Sequence, residues 1–161
     1  MKKVFIATIC FLLLFTNISF ANTINISDSV KDIDMVSNRM YIIIKQITGD
    51  DPLDVDELNR DIKFCESILS TRGKKLSDIY SKNPTVEVSR NCAALLYTIS
   101  LYEIGLTSIR MYIRDDSKAE YFIEACASYQ EGRASLNVFK HKYRNYPTTQ
   151  SKPKKEKFLC H

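Results

Sequence analysis

The sequence predicts an all-α protein, an up-down-up-down four-helix bundle, on three observations. Four segments carry apolar residues at spacings of three and four, and none alternates with the period of a strand. The connections between them are short, which forces neighbouring helices to run antiparallel. Low Gly and Pro, with 45% apolar and 26% charged residues, suit an ordered chain with a single core.

The first helix is expected over 27–48. Ile33, Val36, Met40, Ile43 and Ile47 form its stripe, Asn25 or Ser27 can cap it, and Gly49 can end it. The second is expected over 52–82. Asp51 supplies a cap, and Pro52 fits a first turn, where its missing N–H costs nothing. Its stripe is Val55, Leu58, Ile62, Cys65, Leu69, Leu76 and Ile79. Arg72 falls on the seam and Gly73 follows it, so a break is expected near Gly73.

Asn83-Pro84 repeats the cap-plus-proline signal and opens a third helix over 84–114. Val88, Cys92, Leu95, Ile99, Tyr102, Leu106, Ile109 and Ile113 alternate spacings of four and three without a gap, the strongest pattern in the chain. Ser117-Lys118-Ala119-Glu120 reads as a capping box for a fourth helix over 117–146. Its seam is Phe122, Ala125, Tyr129, Gly132, Leu136, Phe139 and Tyr143.

Ahead of the bundle, residues 1–21 have the anatomy of a cleaved secretory signal peptide. Lys2 and Lys3 precede an apolar run from Val4 to Phe15, and Ser19-Phe20-Ala21 ends in small residues at the cleavage spacing. The run is too short to span a membrane, and no second run of spanning length follows. The expected product is a soluble domain over 22–146 in a bacterial periplasm, or secreted, with a basic tail over 147–161.

The mature segment would hold four cysteines: Cys65, Cys92, Cys126 and Cys160. An even number in an oxidising compartment favours two disulfides. Measured along the bundle axis from the turns, Cys65 and Cys126 differ in level by only about 7 Å, while Cys92 lies roughly 13 Å from Cys65. The expected staples are therefore Cys65–Cys126 and Cys92–Cys160, the second tethering the tail. A loop at Gly73 would favour Cys65–Cys92 instead.

Charge excludes one class of partner. Loss of Lys2 and Lys3 takes the formal charge from +4 to +2, too little to imply nucleic-acid binding. The distribution is uneven, with residues 140–161 at +6 and residues 22–139 at −4. No zinc-protease, nucleophile-elbow, phosphate-loop or haem-attachment motif is present, and the two histidines, His141 and His161, form no ligand set. No metal or cofactor is expected.

Two surface features point to contact with another protein. Asp50, Asp51, Asp54, Asp56 and Glu57 cluster where carboxylates also favour a helix N-terminus. Tyr112 and Tyr121 flank the third turn, and tyrosines give large contact area at low entropic cost. Asp54, Asp56, Glu57, Tyr112 and Tyr121 are the candidate partner-binding residues. The expected function is non-catalytic binding of another envelope or secreted protein, of the immunity, inhibitor or secretion-accessory type. Two alternatives stand beside it. Gly105, Ala125 and Gly132 could leave room for a small apolar ligand between helices. Glu103 and Glu124 could serve as a carboxylate pair for acid–base chemistry.

Overall fold

A computed structural model describes residues 26–82 and 85–143, with side chains to His141. All four helices form: α1 over 26–47, α2 over Val55–Ser81, α3 over Val86–Arg114 and α4 over Ala119–Tyr143. No strand occurs among the described residues. The signal segment, the tail and Cys160 lie outside the described residues, as do Asn83 and Pro84.

The seams predicted from spacing are the core. Ile33, Val36, Met40 and Ile43 of α1, Leu58, Ile62, Cys65, Leu69 and Leu76 of α2, and Cys92, Leu95, Tyr102, Leu106 and Ile109 of α3 are all buried. From α4 come Ala125, Tyr129, Leu136 and Phe139. Val88 and Ile113, at the two ends of the α3 stripe, are partly buried against the same cluster. Val55 is the exception, exposed at the mouth of α2.

Polar contacts across the seams fix the order of packing. Arg39 pairs with Asp61 at 3.3 Å, and Arg72 with Asp32, so α1 lies against α2 with residue numbers running in opposite directions. Arg110 and Glu66 join α3 to α2. Thr98 and Ser135 lie 2.7 Å apart, and Ser108 donates to Glu124 at 2.8 Å, which pairs α3 with α4 in antiparallel fashion. Lys140 reaches Asp34 at 2.7 Å and closes the ring from α4 to α1. Each helix thus flanks its sequence neighbours.

The boundaries differ from expectation where a local hydrogen bond decides them. Ser27 is not a cap but a buried residue in the first turn of α1. At the other end of α1, the Thr48 hydroxyl donates to the carbonyls of Ile44 and Lys45. Asp51 and Pro52 stay in the turn, and α2 starts three residues after Pro52 because Asp54 is the cap that works. Its carboxylate accepts from the Glu57 N–H at 2.9 Å. The Thr85 hydroxyl caps α3 by accepting from Val88 N–H. The Ser117 capping box does not form, since the Ser117 hydroxyl turns back to donate to Asp115 at 2.5 Å.

The break expected near Gly73 is absent, and α2 runs unbroken through it. Arg72 explains the misreading. It sits on the seam as an apparent interruption, but its guanidinium donates to Asp32 on α1, with Nε to Oδ2 at 2.5 Å. A charged seam position with a partner across the interface needs no loop. A Cβ at Gly73 would meet nothing within 4 Å. Gly73→Ala therefore removes backbone freedom from the unfolded chain at no steric cost, and we expect it to raise stability by about 0.5–1 kcal/mol in urea unfolding.

The disulfide staple is also not formed among the described cysteines. Cys65, Cys92 and Cys126 are all free thiols, so neither Cys65–Cys126 nor Cys65–Cys92 is a bridge. For Cys65–Cys126 the geometric reason is lateral rather than axial. Among the described residues no Cα of α2 comes within 8 Å of one of α4, because the two stand diagonally across the bundle. A disulfide needs Cα atoms within about 7 Å. Cys160, the partner expected for Cys92, is outside the described residues.

Candidate partner-binding end

The up-down-up-down order brings the α1–α2 and α3–α4 turns to the same end of the bundle. The two groups of predicted partner-binding residues, far apart in sequence, therefore share that end. Asp54, Asp56 and Glu57 stand at the start of α2, while Tyr112 and Tyr121 straddle the turn from α3 to α4.

Each also has a local role. Asp54 is the α2 cap, and Asp56 and Glu57 lie in the first turn, where the helix dipole favours negative charge. The half-buried Tyr112 ring packs on Phe122 with centroids 5.3 Å apart. Tyr121 carries the Lys118 ammonium 5.9 Å above its ring. Asp115 in this turn accepts from Ser117 and faces Lys118, which together lower its carboxyl below the usual value.

Between α2 and α3 the same end opens into a groove of about 560 Å³, and here the structure adds residues that sequence reading missed. Asp56, Asn59, Arg60 and Lys63 line one wall at spacings of three and four along α2. Arg110 and Arg114, four apart on α3, line the other. Arg110 is braced by a two-pronged pair with Glu66, at 2.6 and 2.8 Å. Among the described residues Arg60, Lys63 and Arg114 have no carboxylate within ion-pair distance, and all three are exposed. The only signal in the sequence was their helical spacing on two segments about 50 residues apart, and nothing local joins the two.

A second hollow of about 340 Å³ lies under the α1–α2 turn. Asp54 and Glu57 line it with Ile42, Gln46 and Leu58. The Gln46 Oε1 is buried without a hydrogen-bond partner. Tyr112 and Tyr121 line neither hollow.

The residues singled out for other chemistries are used differently. Glu124 accepts from Ser108, whereas Glu103 projects from α3 about 140° around the helix from Ser108. The two carboxylates are not brought face to face. The space expected at Gly132 is occupied by the Tyr102 ring, and that at Gly105 by the Met40 methyl. Among the described residues no three His, Cys, Asp or Glu side chains gather as a metal site. Comparison with protein-family models, curated proteins and solved structures finds no match to this chain.

Proposed function

We propose that this is a small exported helical protein that acts without catalysis, by binding another protein at the end formed by the α1–α2 and α3–α4 turns. The observation that supports this reading most is the groove between α2 and α3. Three cations without an ion-pair partner among the described residues converge there beside a fourth, Arg110, that Glu66 holds in place. Like charges held together in water repel one another, and a carboxylate-bearing segment of a partner relieves that repulsion. Such complementarity speeds association and sets specificity. The acidic residues Asp54, Asp56 and Glu57 rim the same end and reject the wrong charge pattern. An apolar-ligand carrier is the weaker reading, because the small residues that would leave room for a ligand are filled by Tyr102 and Met40.

The test is crosslinking in cells followed by copurification, with the wild-type chain beside Arg60→Glu/Lys63→Glu/Arg114→Glu. The expected result is one partner at fixed stoichiometry with the wild type. Its affinity should fall by about tenfold or more in the triple variant, and also with added salt. A folded wild-type protein with no partner, or a partner retained equally by the triple variant, would overturn the reading.

A further inference from the structure

Three seams of the bundle are crossed by ion pairs: Arg39–Asp61 and Arg72–Asp32 between α1 and α2, Arg110–Glu66 between α2 and α3, and Lys140–Asp34 between α4 and α1. The α3–α4 seam is built differently between Tyr97 and Ser108. It sets two carboxylates against neutral hydroxyls, with Glu124 accepting from Ser108 at 2.8 Å and Glu131 from Tyr97. A hydroxyl satisfies a lone pair but brings no positive charge to offset the carboxylate.

The imbalance extends over the outer surface of this pair. From Asn91 to Ile109, α3 carries a single charged residue, Glu103, and from Ala119 to Gly132 the charges of α4 are Glu120, Glu124 and Glu131. All four are exposed, and among the described residues none has a cation within ion-pair distance. Apolar side chains stand exposed among them, Tyr97 and Ile104 on α3, and Ile123 at 67% and Val138 at 69% on α4. A surface that is both acidic and apolar is matched by a segment that is both basic and apolar.

The sequence holds such a segment directly after α4. Residues 147–161 carry Lys152, Lys154, Lys155 and Lys157 against Glu156, and then Phe158-Leu159. The reach of the chain allows the match. Helix α4 ends at Tyr143, and Glu131, Glu124 and Glu120 lie about 18, 29 and 35 Å back from it by the helix rise. The chain from Tyr143 spans at most about 30 Å to Lys152 and about 46 Å to Lys157. The order of charges agrees as well. Thr98 lies against Ser135, so Arg90, the cation on this face, is level with Tyr143, where the chain leaves α4. Residues 145–151 carry no charge, and the lysines begin only beyond them, within reach of the carboxylates. Because the segment is joined to α4, its effective concentration at the face is about millimolar, so individually weak contacts hold it.

We propose that the chain's own segment 147–161 docks on the outer face of α3–α4, pairing its lysines with Glu120, Glu124 and Glu131 and covering Ile104 and Ile123 with Phe158 and Leu159. The test places a nitroxide on Cys160 of the chain over 22–161 in a Cys126→Ser background, where Cys65 and Cys92 are sealed in the core and do not react. The expected result is loss of the amide NMR signals of Ile104, Ile123 and Ala127, while those of Met35 on α1 and Phe64 on α2 stay sharp. Reversing the tail charges with Lys152→Glu/Lys154→Glu/Lys155→Glu/Lys157→Glu should restore the lost signals, as should added salt. Those substitutions leave the residues of the bundle untouched, so its folding does not confuse the result. Adding Glu124→Lys/Glu131→Lys to the reversed tail should bring the loss back. Charge reversal at Arg60, Lys63 and Arg114 should change nothing, which separates this seat from the partner-binding groove. Signals that stay sharp on α3–α4, or a loss centred on Asp54 and Glu57 instead, would overturn the proposal. So would a loss in isotope-labelled chain mixed with unlabelled chain that carries the nitroxide, since the occupant would then be the tail of a second copy.

Discussion

Gly132→Leu is expected to lower stability by about 3 kcal/mol or more, and Gly132→Ala by about 1–2 kcal/mol. A Cβ at Gly132 would sit 2.8 Å from Tyr102 Cδ1 and 3.1 Å from Cζ, and closer still to Cε1. Real Cβ atoms do not approach a ring that closely, so something must move. Tyr102 has nowhere to go, since it is wholly buried and stacks near Tyr129 with centroids 6.5 Å apart. The loss outweighs the roughly 1 kcal/mol by which Ala exceeds Gly in helix propensity. Urea unfolding of Gly132→Ala, Tyr102→Leu and the double variant gives the coupling. The cost of Gly132→Ala should largely vanish once the ring is gone. Equal costs in the two backgrounds would mean that the ring is not the obstacle.

Alkaline pH should destabilise the bundle by drawing protons from groups that its core keeps protonated. Burial pushes the Cys65 thiol up to about 12, with Asp61 adding to the effect and Arg39 opposing it. Burial likewise pushes the Tyr102 phenol up to about 12, and the neighbouring Ser37 side chain opposes it without reaching hydrogen-bond geometry. Both folded values lie above those of the unfolded chain, about 8.5 for Cys and 10 for Tyr. The stabilisation is therefore complete below the unfolded values and is lost as pH rises toward 12. Between about pH 9 and 12 the unfolded chain sheds a thiol proton that the folded chain keeps. That costs about 1.4 kcal/mol per pH unit, and Tyr102 adds a similar slope above about pH 10. The urea midpoint should fall steadily from pH 8 to 11. Cys65→Ala should lessen the slope below pH 10, leaving the part due to Cys92 and Cys126, whose thiols burial also raises, and an unchanged slope in that variant would refute the assignment.

How far the sequence carried depends on the range of the interaction that decides each feature. The eight α3 seam residues were legible because burial on one face imposes a local period, and Val88 through Ile113 kept it. Arg72 was misread because its partner, Asp32, lies 40 positions away, and the seam looks broken until that carboxylate is in view. Cys65 and Cys126 were paired on height along the axis, which turn lengths do reveal. The side-by-side order of helices, which turn lengths leave open, placed them on a diagonal. The candidate site divides in the same way. Asp54, Asp56 and Glu57 announce a helix start locally, whereas the groove that Arg60 and Lys63 share with Arg110 and Arg114 exists only once α2 meets α3.

The ring-like order of the helices, each against its sequence neighbours, also sets a clock. Contacts between adjacent helical segments close short loops, and helical bundles of this kind fold in microseconds to milliseconds. Disulfide chemistry takes seconds to hours. Folding in oxidising surroundings would therefore seal Cys65 and Cys92 inside the core before an oxidant could pair them. Among the described cysteines the half-buried Cys126 is left as the thiol within easiest reach. In such surroundings the redox fate of the protein would be decided by a race, which the simplicity of its topology wins.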